Sequence, residues 1–128
     1  MLIKAVELEN AKSYDQARVE FTEGVNAIVG HNGAGKSTIL ETIGLVLFDA
    51  SGYTRSEFVR NGARTATMTV EVESSFDGRP YHVVRRIGGT NQHYIFDPEL
   101  DQRVCEGKAD VLAFLRQHMG LDSRANLE

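Results

Sequence analysis

The sequence predicts an α/β fold in which a strand, glycine loop and helix unit is joined to an antiparallel β meander. Three observations predict it. Val25-Asn26-Ala27-Ile28-Val29 is an apolar run of strand length. It is followed by Gly30-His31-Asn32-Gly33-Ala34-Gly35-Lys36-Ser37-Thr38, a full G-x-x-x-x-G-K-S/T loop, and then by a helical pattern with Ile39, Leu40 and Ile43 on one face. Further on, alternating segments are separated by Asp77-Gly78 and Gly88-Gly89, both turn signals.

In chain order, residues 2–8 alternate Leu2, Val6 and Leu8 against Glu7 and Glu9, which reads as a half-buried strand. Residues 10–16 are polar and loop-like. Residues 18–22 give a second short strand through Val19 and Phe21, and Glu23-Gly24 is a turn before the strand at 25–29. The first helix is expected over residues 36–48. Gly44 weakens it by about 1 kcal/mol against alanine, so a small residue there points to close packing. Residues 49–63 read as loop, with a turn of helix near 56–60. From 65 to 76, Met68, Val70, Val72 and Phe76 face one way and Thr67, Thr69, Glu71 and Glu73 the other. Residues 79–87 and 92–96 complete a three-stranded meander. A last helix fits residues 108–119, with Val111, Leu112, Phe114, Leu115 and His118 on its buried side and Gly120 as its stop.

The 128 residues suit one domain or part of one, and a composition of 41% apolar and 25% charged residues is ordinary for a globular protein. The longest apolar run, residues 43–48, is far too short to span a bilayer, and Lys4, Glu7 and Glu9 interrupt any signal-peptide pattern. One cysteine, Cys105, excludes an internal disulfide framework, fits a reducing cytosol and reads as a small buried or half-buried residue. His31, His82, His93 and His118 are scattered without the Cys/His spacing of structural zinc. The net charge of −4 does not advertise nucleic-acid binding, which would need a local patch.

The loop carries the chemistry. Gly30, Gly33 and Gly35 allow positive φ and close approach of backbone to phosphate. The amides around Asn32, Gly33, Ala34, Gly35 and Thr38, with the helix N-terminus, direct partial positive charge at an anion. Lys36 would reach the β and γ phosphates of ATP, and the Ser37 hydroxyl would ligate Mg²⁺. A chance lysine in a glycine-rich turn is the competing reading, and the flanking strand and helix speak against it.

The chain resembles the N-terminal part of an SMC-like, ABC-type ATPase head, most closely in the SbcC / Rad-fifty family of DNA double-strand-break repair ATPases. Leu8-Glu9-Asn10-Ala11-Lys12-Ser13-Tyr14, the stretch from Phe21 through Glu41 and Val59-Arg60-Asn61-Gly62-Ala63-Arg64 carry the resemblance. It implies a P-loop NTPase fold of ABC/SMC-head type, a catalytic role for Lys36, phosphate contacts from Lys12 and Ser13, and base or ribose contacts from Gly62, Ala63 and Arg64. The family usually has arginine at Lys12 and an aromatic residue at Ala11; lysine keeps the charge but loses the bidentate fork. The implied partners are a C-terminal segment of the same head beyond a coiled coil, a second head joined through ATP, a metal-dependent nuclease and DNA. The implied location is the cytoplasm, at the nucleoid, or the nucleus in a eukaryote.

A glutamine-bearing loop, a Leu-Ser-Gly-Gly signature and an apolar run ending in Asp-Glu are missing from these residues. Tyr94-Ile95-Phe96-Asp97-Pro98-Glu99 imitates the last, but Pro98 separates the acids and Asp-Pro starts a turn. The expectation is therefore the N-terminal half of a head, residues 1–128, inactive in hydrolysis until completed. A transporter-type ATPase, with Tyr14 as its adenine-stacking residue, remains an alternative, as does a non-catalytic nucleotide-sensing module. A small-molecule kinase would need an acceptor site and lid of which the meander gives no sign.

Residues 78–96 contain no Asp or Glu before the Asp97 turn, but carry Arg79, Arg85 and Arg86 among His82, His93, Tyr81 and Tyr94. This meander could meet a DNA backbone through phosphates. An ordinary solvated hairpin is the competing reading. Strand alternation puts Arg85 and Arg86 on opposite faces.

Overall fold

A computed structural model describes residues 2–12, 14–21, 33–48 and 59–118, with residues 33–38 described by their backbone alone. Among these residues, β1 (Leu2–Ala11), β2 (Tyr14–Glu20), β3 (Ala66–Glu73), β4 (Pro80–Ile87), β5 (Gln92–Asp97) and β6 (Gln102–Glu106) form one antiparallel sheet in the order β2-β1-β3-β4-β5-β6. Helices α1 (Gly33–Phe48) and α2 (Lys108–His118) pack on one face of it.

Alternation decides which face is covered. Val6 and Leu8 of β1 lie opposite Val70 and Met68 of β3, and Val83 of β4 joins Val70 to Ile95 of β5. These side chains are buried and form one core with Ile39, Leu45, Val46 and Leu47 of α1 and Val111 and Leu115 of α2. Each fully buried aliphatic side chain contributes about 1.5–3 kcal/mol of burial free energy, so this face holds the sheet and helices together. The residues between them, among them Glu7, Glu9, Thr67, Thr69 and Glu71, point to the outer face.

Several expectations change. The sheet has a sixth strand, β6, at its edge, so the meander is four-stranded from β3 to β6. β1 runs on to Ala11 and β2 begins at Tyr14, leaving little of the loop expected at 10–16. Phe76 lies in the β3–β4 turn and is exposed, because the strand ends at Glu73. Helix α1 begins at Gly33, inside the loop motif. Ile39 is buried, but Leu40 is 60% exposed, so the two do not share a core-facing stripe. α2 buries Val111, Leu115 and His118, with Leu112 and Phe114 half-buried. Val59 and Arg60 are not helical; Val59 forms an isolated antiparallel bridge with Ala11. The strand expected at 25–29, the turn at 23–24, residues 49–58 of the expected 49–63 loop and the Gly120 stop lie outside the described residues.

Candidate functional site

The described candidate residues fall in two places, the start of α1 and the end of β1 with the 62–64 segment. The backbone of Gly33, Ala34, Gly35, Lys36, Ser37 and Thr38 is helical. The N–H groups of a helix's first turn have no partner within the helix, so this stretch presents donors and the positive end of the helix dipole. The side chains of Lys36, Ser37 and Thr38 lie outside the description, as do Gly30, His31, Asn32 and Ser13.

At the end of β1, Asn10 and Lys12 have φ of 54° and 56°, in the left-handed region. Asparagine tolerates that region, whereas lysine there costs about 1 kcal/mol or more and persists only where its surroundings hold it. The surroundings here are a buried Ala11 between the two and the bridge from Ala11 to Val59. Arg60 donates its backbone N–H to the Asn10 carbonyl at 2.8 Å, and Ala63 donates to the Arg60 carbonyl at 2.9 Å. That second bond closes a turn in which Gly62 has φ +89°, a conformation that suits glycine in the third position of a type II turn. The fold therefore brings Lys12 and the segment Gly62, Ala63 and Arg64 to one end of the sheet. Gly62 and Arg64 are exposed there and Ala63 is half-buried.

Helix α1 is tied to the sheet by a polar contact that the sequence did not announce. His93 of β5 is buried, and its Nε2 lies 2.8 Å from the Val46 carbonyl of α1. A carbonyl only accepts, so Nε2 carries the proton and donates. Arg85 sits opposite His93 on the same face, also buried, with Nη1 3.4 Å from His93 Nδ1. The pairing of Arg85 with His93 in register and the arrival of α1 above them place this arginine in the interior.

The three candidate DNA-contacting arginines do not share a surface. Arg79 stands at the β3–β4 turn and spans to the β5–β6 turn, with Nη2 2.6 Å from Asp97 and Nε 3.0 Å from Glu99. The Glu99 carboxylate, then that of Asp97, raise its pKa. Arg85 is on the core face and Arg86 is exposed on the outer face. As strand alternation implied, Arg85 and Arg86 lie on opposite faces; Arg86 faces solvent, Arg85 is withdrawn into the core face, and Arg79 is partly exposed but engaged by two carboxylates.

The outer face carries two further clusters. Arg18 meets Glu7 at 2.7 Å, Glu20 at 3.0 Å and Glu71, which raises its pKa and lowers that of Glu71. Beside it lies an open groove of about 330 Å³ lined by Glu7, Glu9, Gln16, Thr67 and Thr69. It is on the face opposite α1 and so is separate from the phosphate-loop helix. Across the sheet, the Arg103 guanidinium lies 3.7 Å over the ring of Tyr94. Burial, then the charge of Asp110, push the half-buried Cys105 thiol up, away from nucleophilic chemistry. Among the described residues no group of three or more His, Cys, Asp or Glu is placed to hold a metal, and no helix is long and apolar enough to cross a membrane.

Comparison with known proteins gives a consistent picture. The family described as an AAA domain, AAA_23, matches residues 5–111. A DNA double-strand break repair Rad50 ATPase from Methanopyrus kandleri is 38% identical over 114 residues, covering 85% of this chain and 13% of the relative. The protein of the same description from Sulfurisphaera tokodaii is 32% identical over 129 residues, covering 95% of this chain and 14% of the relative. The chain thus spans about one-seventh of the length of these relatives. Among solved structures, the recombination mediator protein RecF-ATP matches with TM-score 0.66 and 25% identity over 81% of this chain and 28% of that one. The SMC head domain from Thermotoga maritima shares the fold, with TM-score 0.64 and 24% identity over 91% of this chain and 41% of that one.

Proposed function

Because the chain belongs to the AAA domain family, matched over residues 5–111, we propose that it is the phosphate-loop half of an SMC-like ATPase head of the Rad50/SbcC type. It binds ATP and, completed by a C-terminal segment, hydrolyses it in DNA double-strand-break repair. One observation carries the reading. The loop motif of residues 30–38 carries the start of α1, which begins at Gly33, so its Gly-Lys-Ser-Thr part opens a helix as a phosphate-cradling loop requires.

The roles follow from the chemistry of each group. The first-turn amides of α1 donate to oxygens of the β-phosphate region, and Lys36 neutralises charge between the β and γ phosphates. The donor set suits Mg²⁺ in part: Ser37 would offer one hydroxyl, and further oxygen ligands would have to come from phosphate, water and an acid outside these residues. Bound Mg²⁺ supplies electrophilic neutralisation of the phosphate oxygens. Lys12 and Ser13 approach the phosphates from the end of β1, and Gly62, Ala63 and Arg64 meet the base or ribose. Convergence of Lys12 with the 62–64 turn at one end of the sheet supports that assignment. The names of the Rad50 and RecF relatives support DNA and ATP as partners; a second head engaged through ATP and a metal-dependent nuclease complete the proposed assembly on the family resemblance of the sequence.

Phosphoryl transfer needs a positioned water and a metal-holding acid, and no motif in residues 1–128 supplies them. Purified residues 1–128 should therefore show no ATP turnover above that of the Lys36→Ala variant, and adding the C-terminal head segment should create Lys36-dependent turnover. Steady hydrolysis by residues 1–128 alone, abolished in Lys36→Ala, would show that the division of the site is wrong.

A further inference from the structure

The β4–β5 turn approaches the 62–64 segment more closely than any side chain would allow. At Gly88, φ is +96°, and a Cβ placed there would lie 2.2 Å from the Arg64 carbonyl oxygen, 3.1 Å from Thr65 Cα and 3.2 Å from Arg64 C. All three atoms are backbone, so none can swing aside. At the neighbouring Gly89 the nearest atom to such a Cβ would be Thr65 Cγ2 at 3.8 Å, an ordinary contact. The turn is braced by the Gly88 N–H donating to Asn91 Oδ1 at 2.9 Å.

The segment is held from its other side as well. Val59 is bridged to Ala11, Arg60 is hydrogen-bonded to Asn10, and the β3–β4 ladder begins at the Ala66–Ile87 pair just beyond Thr65. Residues 60–65 are thus pinched between the end of β1 and the bare Cα of Gly88.

We propose that Gly88 is a positioning residue of the nucleotide site: its missing side chain seats the β4–β5 turn against the Arg64 carbonyl and so sets where Gly62, Ala63 and Arg64 stand relative to Lys12. The proposal rests on the reading that the 62–64 segment meets the base or ribose. A methyl group at position 88 displaces that segment by about 1 Å, enough to disrupt a contact that depends on placement. The phosphate loop, carried by α1, keeps its own geometry.

The test uses the full-length protein and two Mg²⁺ complexes, ATP and inorganic tripolyphosphate, titrated against four variants. Gly88→Ala should weaken ATP about tenfold, the worth of one stacking or ribose contact, and leave tripolyphosphate within about twofold. Asn91→Ala frees the turn without adding atoms, and should weaken ATP by about threefold with tripolyphosphate unchanged. Gly78→Ala is the control. It has φ +72° at the opposite end of β4 with nothing within 4 Å of the added Cβ, so it carries a similar backbone cost and should alter neither ligand. Arg64→Ala tests the underlying reading by itself and should weaken ATP only.

Wild-type ATP affinity in Gly88→Ala or in Asn91→Ala, beside a weakened Arg64→Ala, overturns the proposal and leaves the reading intact. Equal loss of both ligands in Gly88→Ala makes the glycine merely structural and also overturns it. Wild-type ATP affinity in Arg64→Ala overturns the reading, and the proposal with it. Should Gly88→Ala fail to fold, Asn91→Ala decides.

Discussion

Replacing Ser74 by alanine is expected to loosen the attachment of α2 to the β3–β4 turn. Ser74 is 4% exposed. Its Oγ lies 2.8 Å from Nδ1 of His118, the last residue of α2, and accepts the Phe76 backbone N–H at 3.0 Å. Either neutral tautomer makes this bond, the hydroxyl donating to a bare Nδ1 or accepting from Nδ1–H. The His118 ring is stacked on Phe114 at 3.8 Å and meets the edges of Tyr81 and Phe76, so no water replaces the lost hydroxyl easily. Two hydrogen bonds at about 1 kcal/mol each, with a further contribution for leaving a buried ring nitrogen unsatisfied, give about 2–3 kcal/mol. The Ser75 N–H, which donates to the His118 carbonyl at 2.9 Å, is the natural reporter. Native-state hydrogen exchange in the full-length protein should show this amide and those of α2 exchanging about 30- to 150-fold faster in Ser74→Ala. Exchange within about threefold of wild type would refute the reasoning, since one such bond alone is worth more than that.

The same cluster predicts a pH dependence. Burial pushes the His118 pKa below its ordinary 6.5, with the charge of Asp77 only partly offsetting it. Above 6.5 both folded and unfolded chains hold the imidazole neutral and stability is complete. As pH falls below 6.5 the unfolded chain takes up the proton first, so stability declines until the folded pKa is passed. Denaturant midpoints measured between pH 8 and 5 should show that decline in wild type and a flatter profile in His118→Gln; parallel profiles would contradict it. For DNA, Arg86→Glu in the complete head should weaken binding to all sequences and leave ATP affinity intact, whereas Arg79→Glu would place a third carboxylate beside Asp97 and Glu99 and report on folding instead. Anisotropy at two salt concentrations checks this, and unchanged binding of Arg86→Glu at both would remove the outer face of β4 from the DNA surface.

How much was legible in the sequence depended on whether the physics was local. The alternation of Thr67, Met68, Thr69, Val70 and Glu71 announced β3 because one face is packed and the other wet. β6 was missed because four of its five residues are exposed, as on an edge strand, so no alternation marks it. The exposure of Leu40 could not be read, since a helical apolar pattern does not say which stripe meets the sheet. Arg85 was a candidate for DNA contact until the hairpin set His93 beside it and the Val46 carbonyl, distant in the chain, closed over His93. The pairing of Lys12 with the 62–64 turn came through resemblance, and its physical basis is the Ala11–Val59 bridge. Gly88 read only as a turn residue, because its need for a bare Cα arises from a carbonyl in another loop. The phosphate loop itself was the clearest signal, since its spacing is dictated by the ligand.

Nucleotide binding through Lys36 is the claim on which the rest depends. The direct measurement is Mg²⁺-ATP affinity in the full-length protein, wild type against Lys36→Ala. Removing the charge between the β and γ phosphates should cost on the order of 2–4 kcal/mol, a weakening of about 30- to 1,000-fold. Equal affinity in the two proteins would contradict the account.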